Sequence, residues 1–137
     1  MAKLVFGSDE WVKALQQQLN TSAEYAAAGS HWEGDFYFIV EPEGPVTESI
    51  TMYMDLWHGQ CREAHLVKDP SEAKPAFVMS GKYGKWEKVV TAQIDPIQAL
   101  VTGQMKLKGN MIMVMKHVKA AQEMVKACTR IDTEFAL

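Results

Sequence analysis

Residues 103–116, Gly103-Gln104-Met105-Lys106-Leu107-Lys108-Gly109-Asn110-Met111-Ile112-Met113-Val114-Met115-Lys116, decide the fold. Residues 105–108 alternate and predict a short strand. Gly109 turns the chain, and Asn110 caps a methionine-laden last helix that runs to about Ile131. Lys106 and Lys108 flank Leu107 and point away from its side, as on an edge strand guarded by charge. Five of the nine methionines fall between Met105 and Met124. Methionine is unbranched and polarizable, so a wall built from it reshapes around ligands of different outline. The same run also fits plain core filling on a buried helix, and the pattern leaves both readings open.

Upstream, Ser8 caps a helix with Asp9 and Glu10 in its first turn. Val12, Leu15, Leu19, Ala23 and Ala26 continue its apolar face, and Gly29 ends it. From Trp32 the period drops to two: Trp32, Phe36, Phe38 and Val40 alternate with Glu33, Asp35, Tyr37, Ile39 and Glu41. After the turn at 41–45, Ile50, Met52, Met54 and Leu56 repeat the alternation, and His58-Gly59-Gln60 leads into a third strand over 61–67. These predict a three-stranded meander with one apolar face. A fourth strand is expected over 75–80 and a short helix over 83–90. A second short helix, opened by Asp95-Pro96, is closed by Gly103.

Residues 95–103, Asp95-Pro96-Ile97-Gln98-Ala99-Leu100-Val101-Thr102-Gly103, together with 103–116 resemble the C-terminal signature of the sterol carrier protein type 2 family of lipid-binding domains. The resemblance implies an α+β fold: an open five-stranded, mainly antiparallel sheet, helices covering one face, and an apolar tunnel between them. It implies a floor of Phe36, Phe38, Met52, Met54, Phe77 and Met79, and a mobile wall of Leu100, Met105, Met111, Ile112, Met113 and Met115. The implied activity is non-catalytic binding or transfer of a fatty acyl, phospholipid, sterol-like or isoprenoid ligand. Each buried methylene gains about 0.8 kcal/mol over water, roughly 12 kcal/mol gross for sixteen carbons.

The 137 residues suit one domain, and 47% apolar with 23% charged residues is ordinary for a globular chain. No apolar run reaches a membrane span, the N-terminus does not read as a secretion signal, and Glu134-Phe135-Ala136-Leu137 is not a peroxisomal address. A cytoplasmic, prokaryotic protein is expected. Cys61 and Cys128 read as reduced core residues.

The net charge of −3 is unevenly spread: residues 104–131 hold six Lys or Arg against one acid, the remainder eight against sixteen. A basic face beside an apolar cavity suits transient contact with an anionic membrane; it equally suits a solvated helix face. No Arg cluster with interleaved aromatics points to nucleic acid.

His31, His58, His65 and His117 lack metal-ligand spacing, and His58 with Cys61 is at most half a site, so neither metal nor cofactor is expected. No nucleophile elbow, phosphate loop or dinucleotide fingerprint is present, and no catalytic residue is assigned. Asp35 and Asp55 are expected on the outer sheet face. On a helical wheel Met111, Val114, Val118, Ala121, Val125 and Cys128 share one side of the last helix; Ile112, Lys116, Lys119 and Glu123 share the water side. Two rivals stand beside the carrier. One is an interaction module that forms a homodimer, or docks, through this helix at Ile112. The other is an acyl-thioester enzyme with His117 or Asp55 as base.

Overall fold

The apolar alternation along the first half of the chain generates a sheet whose inner side carries Phe36, Phe38, Met52, Met54 and Met79, all buried. The computed structural model describes residues 3–136; Met1, Ala2 and Leu137, on which the readings of the chain ends partly rest, lie outside them. In chain order the elements are β1 (Leu4–Val5), α1 (Asp9–Asn20), α2 (Ala23–Ala28), β2 (Glu33–Glu41), β3 (Ile50–Trp57) and β4 (Gln60–Val67). There follow a 3-10 turn (Pro70–Glu72), β5 (Phe77–Lys82), α3 (Tyr83–Val90), α4 (Pro96–Val101), β6 (Lys106–Lys108), α5 (Met111–Met115), α6 (Val118–Thr129) and β7 (Thr133–Glu134).

Five strands form one sheet in the order β4-β3-β2-β5-β6. Only the β2–β5 pair is parallel, so the sheet is mainly antiparallel, and helices cover its inner face. Residues 70–76 cross the outer face, where the buried Tyr37 hydroxyl accepts from Ala73 N–H at 3.1 Å and lies 3.0 Å from the Pro70 carbonyl. The chain ends meet in a separate parallel pair, β1 with β7, which the sequence pattern did not predict.

Two expected helices are broken. The first stops at Asn20 because Ser22 turns extended and its side chain caps a new helix, accepting from Tyr25 N–H at 3.1 Å. The last breaks at Lys116-His117, where the imidazole Nδ1 donates to the Met113 carbonyl at 2.9 Å. A carbonyl only accepts, so this side chain takes the bond that the backbone of a continuous helix would make. The break changes the phase of α6: Glu123, expected on the water side, is 4% exposed and lies between Lys119 and Lys126 at 3.0 and 3.1 Å.

Helix α1 blunts the open edge at β4. Asn20 Nδ2 donates to the Cys61 carbonyl at 2.9 Å, and its Oδ1 accepts from Cys61 N–H at 2.7 Å. Asp9 Oδ1 accepts from Leu66 N–H at 3.0 Å. Asn20→Ala removes both bonds to Cys61 and is expected to lower unfolding free energy by about 1–2 kcal/mol in urea titration. Asn20→Asp should do no better, because a carboxylate oxygen then faces the Cys61 carbonyl; full stability in either variant would show that the edge needs no such clasp.

Candidate functional site

Between the sheet and the helices lies an apolar cavity of about 120 Å³. A single water needs about 10–15 Å³ on this measure, so the space is far larger than one water requires. Strand parity supplies the floor: β2 gives Phe36 and Phe38, β3 gives Met52, Met54 and Leu56, and β5 gives Met79. Phe36 and Phe38 stack with centroids 4.8 Å apart, and Phe38 meets Trp86 edge-on at 5.8 Å.

The roof differs from the wall implied by the family resemblance. Leu100 lines the cavity, but Met105, Met111, Ile112, Met113, Met115 and the floor residue Phe77 do not. Ile112 is 69% and Met115 43% exposed, while Met111 and Met113 are half-buried. Met105 is fully buried over Gly81 in β5, where the missing Cβ leaves room for its sulfur. Phe77 shares the inner face but packs beside the cavity, against Trp32 and Phe36, each at 5.0 Å.

The roof comes instead from Val114, Ala120, Ala121, Met124, Val125 and Cys128 of the last two helices, while Leu107 of β6, opposite Met79, extends the floor. Helix α1 adds Trp11, Val12 and Leu15, and α3 adds Trp86, Val89 and Val90. The helical spacing of Val12 and Leu15 marked them as core, though nothing in it distinguished a cavity lining from a filled interior.

The indole N–H groups are turned away from the space. The three lining indoles spend their N–H groups elsewhere: Trp11 on Thr133 Oγ1 at 3.0 Å, Trp32 on the Gly34 carbonyl at 3.0 Å, Trp86 on the Ile39 carbonyl at 2.9 Å. Burial pushes the Cys128 thiol up to about 12 and raises the Tyr25 phenol, so both stay neutral. His117 is the one remaining ionisable lining residue, half-buried and edge-on to Trp32 at 5.0 Å.

The other candidates lie apart. Asp55 and Asp35 face each other across β2 and β3 on the outer side, opposite the cavity. Arg62 grips Asp55 with two bonds of 3.0 and 3.2 Å, and Asp35 accepts from Tyr53 at 2.9 Å and Ala76 N–H at 2.8 Å. Asp55 is therefore no base for a ligand in the cavity. His58 pairs with Glu33 at 2.5 Å, while the Cys61 thiol turns to the Glu63 carbonyl, so they form no common site.

The sequence profile of the SCP-2 sterol transfer family matches residues 12–122. A crystal structure of sterol carrier protein 2 superposes with a TM-score of 0.84 at 32% identity, over 92% of this chain and 98% of its own. The solution structure of a conserved hypothetical protein from Thermus thermophilus gives 0.86 at 30% identity, over 98% and 94%. Apo sterol carrier protein 2 from Yarrowia lipolytica, 18% identical with a TM-score of 0.61 over 94% and 98%, shares the fold. No curated protein sequence matches.

Burial also pushes the Cys61 thiol up to about 12, from an ordinary value of 9.0. At pH 8 neither cysteine carries appreciable thiolate, the reactive form. Thiol titration at pH 8 is expected to label neither cysteine in the native protein and both in denaturant. Stoichiometric native labelling of Cys128 would show that a polar reagent enters the cavity.

Proposed function

The chain belongs to the SCP-2 sterol transfer family, and on that premise we propose that it is a non-catalytic carrier of a single-chain lipid, held in the cavity between sheet and helices. The observation that carries this reading is an apolar cavity whose lining tryptophans all direct their N–H groups to protein partners. A polar substrate would find few partners there, and an alkyl chain needs none. A cavity of about 120 Å³ fits one acyl or isoprenoid chain better than the two chains of a phospholipid or a fused sterol skeleton.

Delivery at an anionic membrane, in the cytoplasm, is part of the same proposal. Ile112 and Met115 are exposed on α5 beside Lys116, and Lys106 and Lys108 are exposed on β6. Among the described residues these three lysines make no salt bridge, whereas Lys119 and Lys126 are held by Glu123. Free lysines near an anionic surface contribute about 1 kcal/mol each.

Detergent-free purification, followed by native and denaturing mass spectrometry and organic extraction, tests the reading. A co-purifying single-chain lipid is expected. An empty protein that also ignores added fatty acid would overturn the proposal, and concentration-dependent dimerisation abolished by Ile112→Lys would then favour a subunit interface.

Ala121→Phe places a ring in the cavity roof and is expected to weaken acyl-chain affinity by about ten-fold or more, measured by displacement of a fluorescent fatty acid. Ile112→Lys with Met115→Lys alters the exterior of α5 and is expected to leave that affinity within about two-fold. The reverse ranking would place the ligand under α5 instead.

A further inference from the structure

His117 has three properties that no other lining residue combines. It is ionisable, its Nδ1 is committed to the Met113 carbonyl, and its Nε2 has no protein partner among the described residues. The bond to Met113 fixes the tautomer: Nδ1 carries the proton, so Nε2 of the neutral ring presents a lone pair. A group that only accepts hydrogen bonds gains nothing from that lone pair. A group that brings a proton gains a bond, and an acid gains a charge-assisted one.

Position agrees with this chemistry. His117 lies against Trp32, just before β2, whereas Phe38 and Trp86 line the cavity further along the strand. Six residues of extended chain from Trp32 to Phe38 span about 20 Å. A head group at His117 therefore leaves an apolar path over Phe36 and Phe38 for the tail.

Building on the carrier reading above, we propose that His117 is the head-group anchor of the cavity, and that the ligand is a free long-chain carboxylic acid rather than its ester. One proton is shared between the pair. It belongs to the acid's O–H donating to Nε2, or it sits on Nε2 and is donated to the carboxylate. No bond other than hydrogen bonds forms, and an ester, which has no proton to give, is left with its carbonyl facing a lone pair.

Binding of palmitic acid, hexadecanol and methyl palmitate to the full chain and to His117→Leu tests the assignment. The wild type is expected to prefer the acid over the methyl ester by about ten-fold or more, with the alcohol between, and His117→Leu to reduce that preference to about two-fold. Equal binding of acid and ester by the wild type, or an undiminished preference in the variant, overturns the anchor. If none of the three ligands binds the wild type, the carrier reading itself fails, and the anchor with it. Should His117→Leu not fold, ¹⁵N spectra of the wild-type imidazole decide: palmitic acid is expected to shift Nε2 toward its protonated form and methyl palmitate not to. Bound acid with an unmoved Nε2 signal refutes the proposal.

Discussion

Three tethered indoles keep the interior from closing. A void of about 120 Å³ costs on the order of 3 kcal/mol in lost contacts, and Met52, Met54, Met79 and Met124 around it are flexible enough to collapse inward. Trp11, Trp32 and Trp86 are not, because each ring is pinned by its N–H to an atom outside the lining. Trp11 depends on Thr133, which is in place only because β7 pairs with β1, and Phe6 beside that pair meets the Trp11 ring edge-on at 4.9 Å. The pairing of the chain ends is thus part of what maintains a cavity formed mostly by residues between them.

The sheet does different work on its two sides. Outside, residues 70–76 and the Tyr37, Tyr53 and Asp35 side chains satisfy one another, and burial with the neighbouring Asp35 raises the Tyr53 phenol so that it remains a donor. Carboxylates that look like acid–base candidates in the sequence are structural there. Inside, the same strands expose only carbon and sulfur to the cavity. A two-residue period makes this division automatic, since each inward phenylalanine or methionine alternates with an outward polar or aromatic neighbour.

That period is also why the sheet was legible in the sequence and the roof only in part. Strand parity placed Phe36, Phe38, Met52, Met54 and Met79 on the inner face without any knowledge of the helices, and Asp95 and Gly103 marked α4 through their caps. On the last helix the wheel put Val114, Ala121, Val125 and Cys128, which line the cavity, on its apolar side, and missed the break, which contains neither Pro nor Gly. His117 interrupts the helix through a side-chain bond to Met113, which is visible only once the fold holds the ring, and Glu123, expected in water, is buried beside its lysines. Composition misled as well: the methionines that line the cavity come chiefly from the sheet, while those that drew attention at 111–115 shield it or face water. Phe77 and Met105 had the right parity or polarity but were drawn into close contacts at Gly34, Gly109 and Gly81, where an absent Cβ admits them.

The size of the cavity sets how a carrier of this kind would exchange its ligand. Moving a methylene from bilayer to protein changes little, because both surroundings are apolar; what differs is the void. Filling it recovers up to the ~3 kcal/mol that the empty space costs, equivalent to roughly a hundred-fold bias toward the protein. That gain ends when the space is full, and every further carbon must push Met124, Val125 or Val114 aside at the expense of packing. Affinity relative to a membrane should therefore rise with chain length and then turn over. The turnover falls where the flexible methionine floor can no longer yield, so the four cavity methionines, rather than any polar contact, govern which chain lengths are both captured and released.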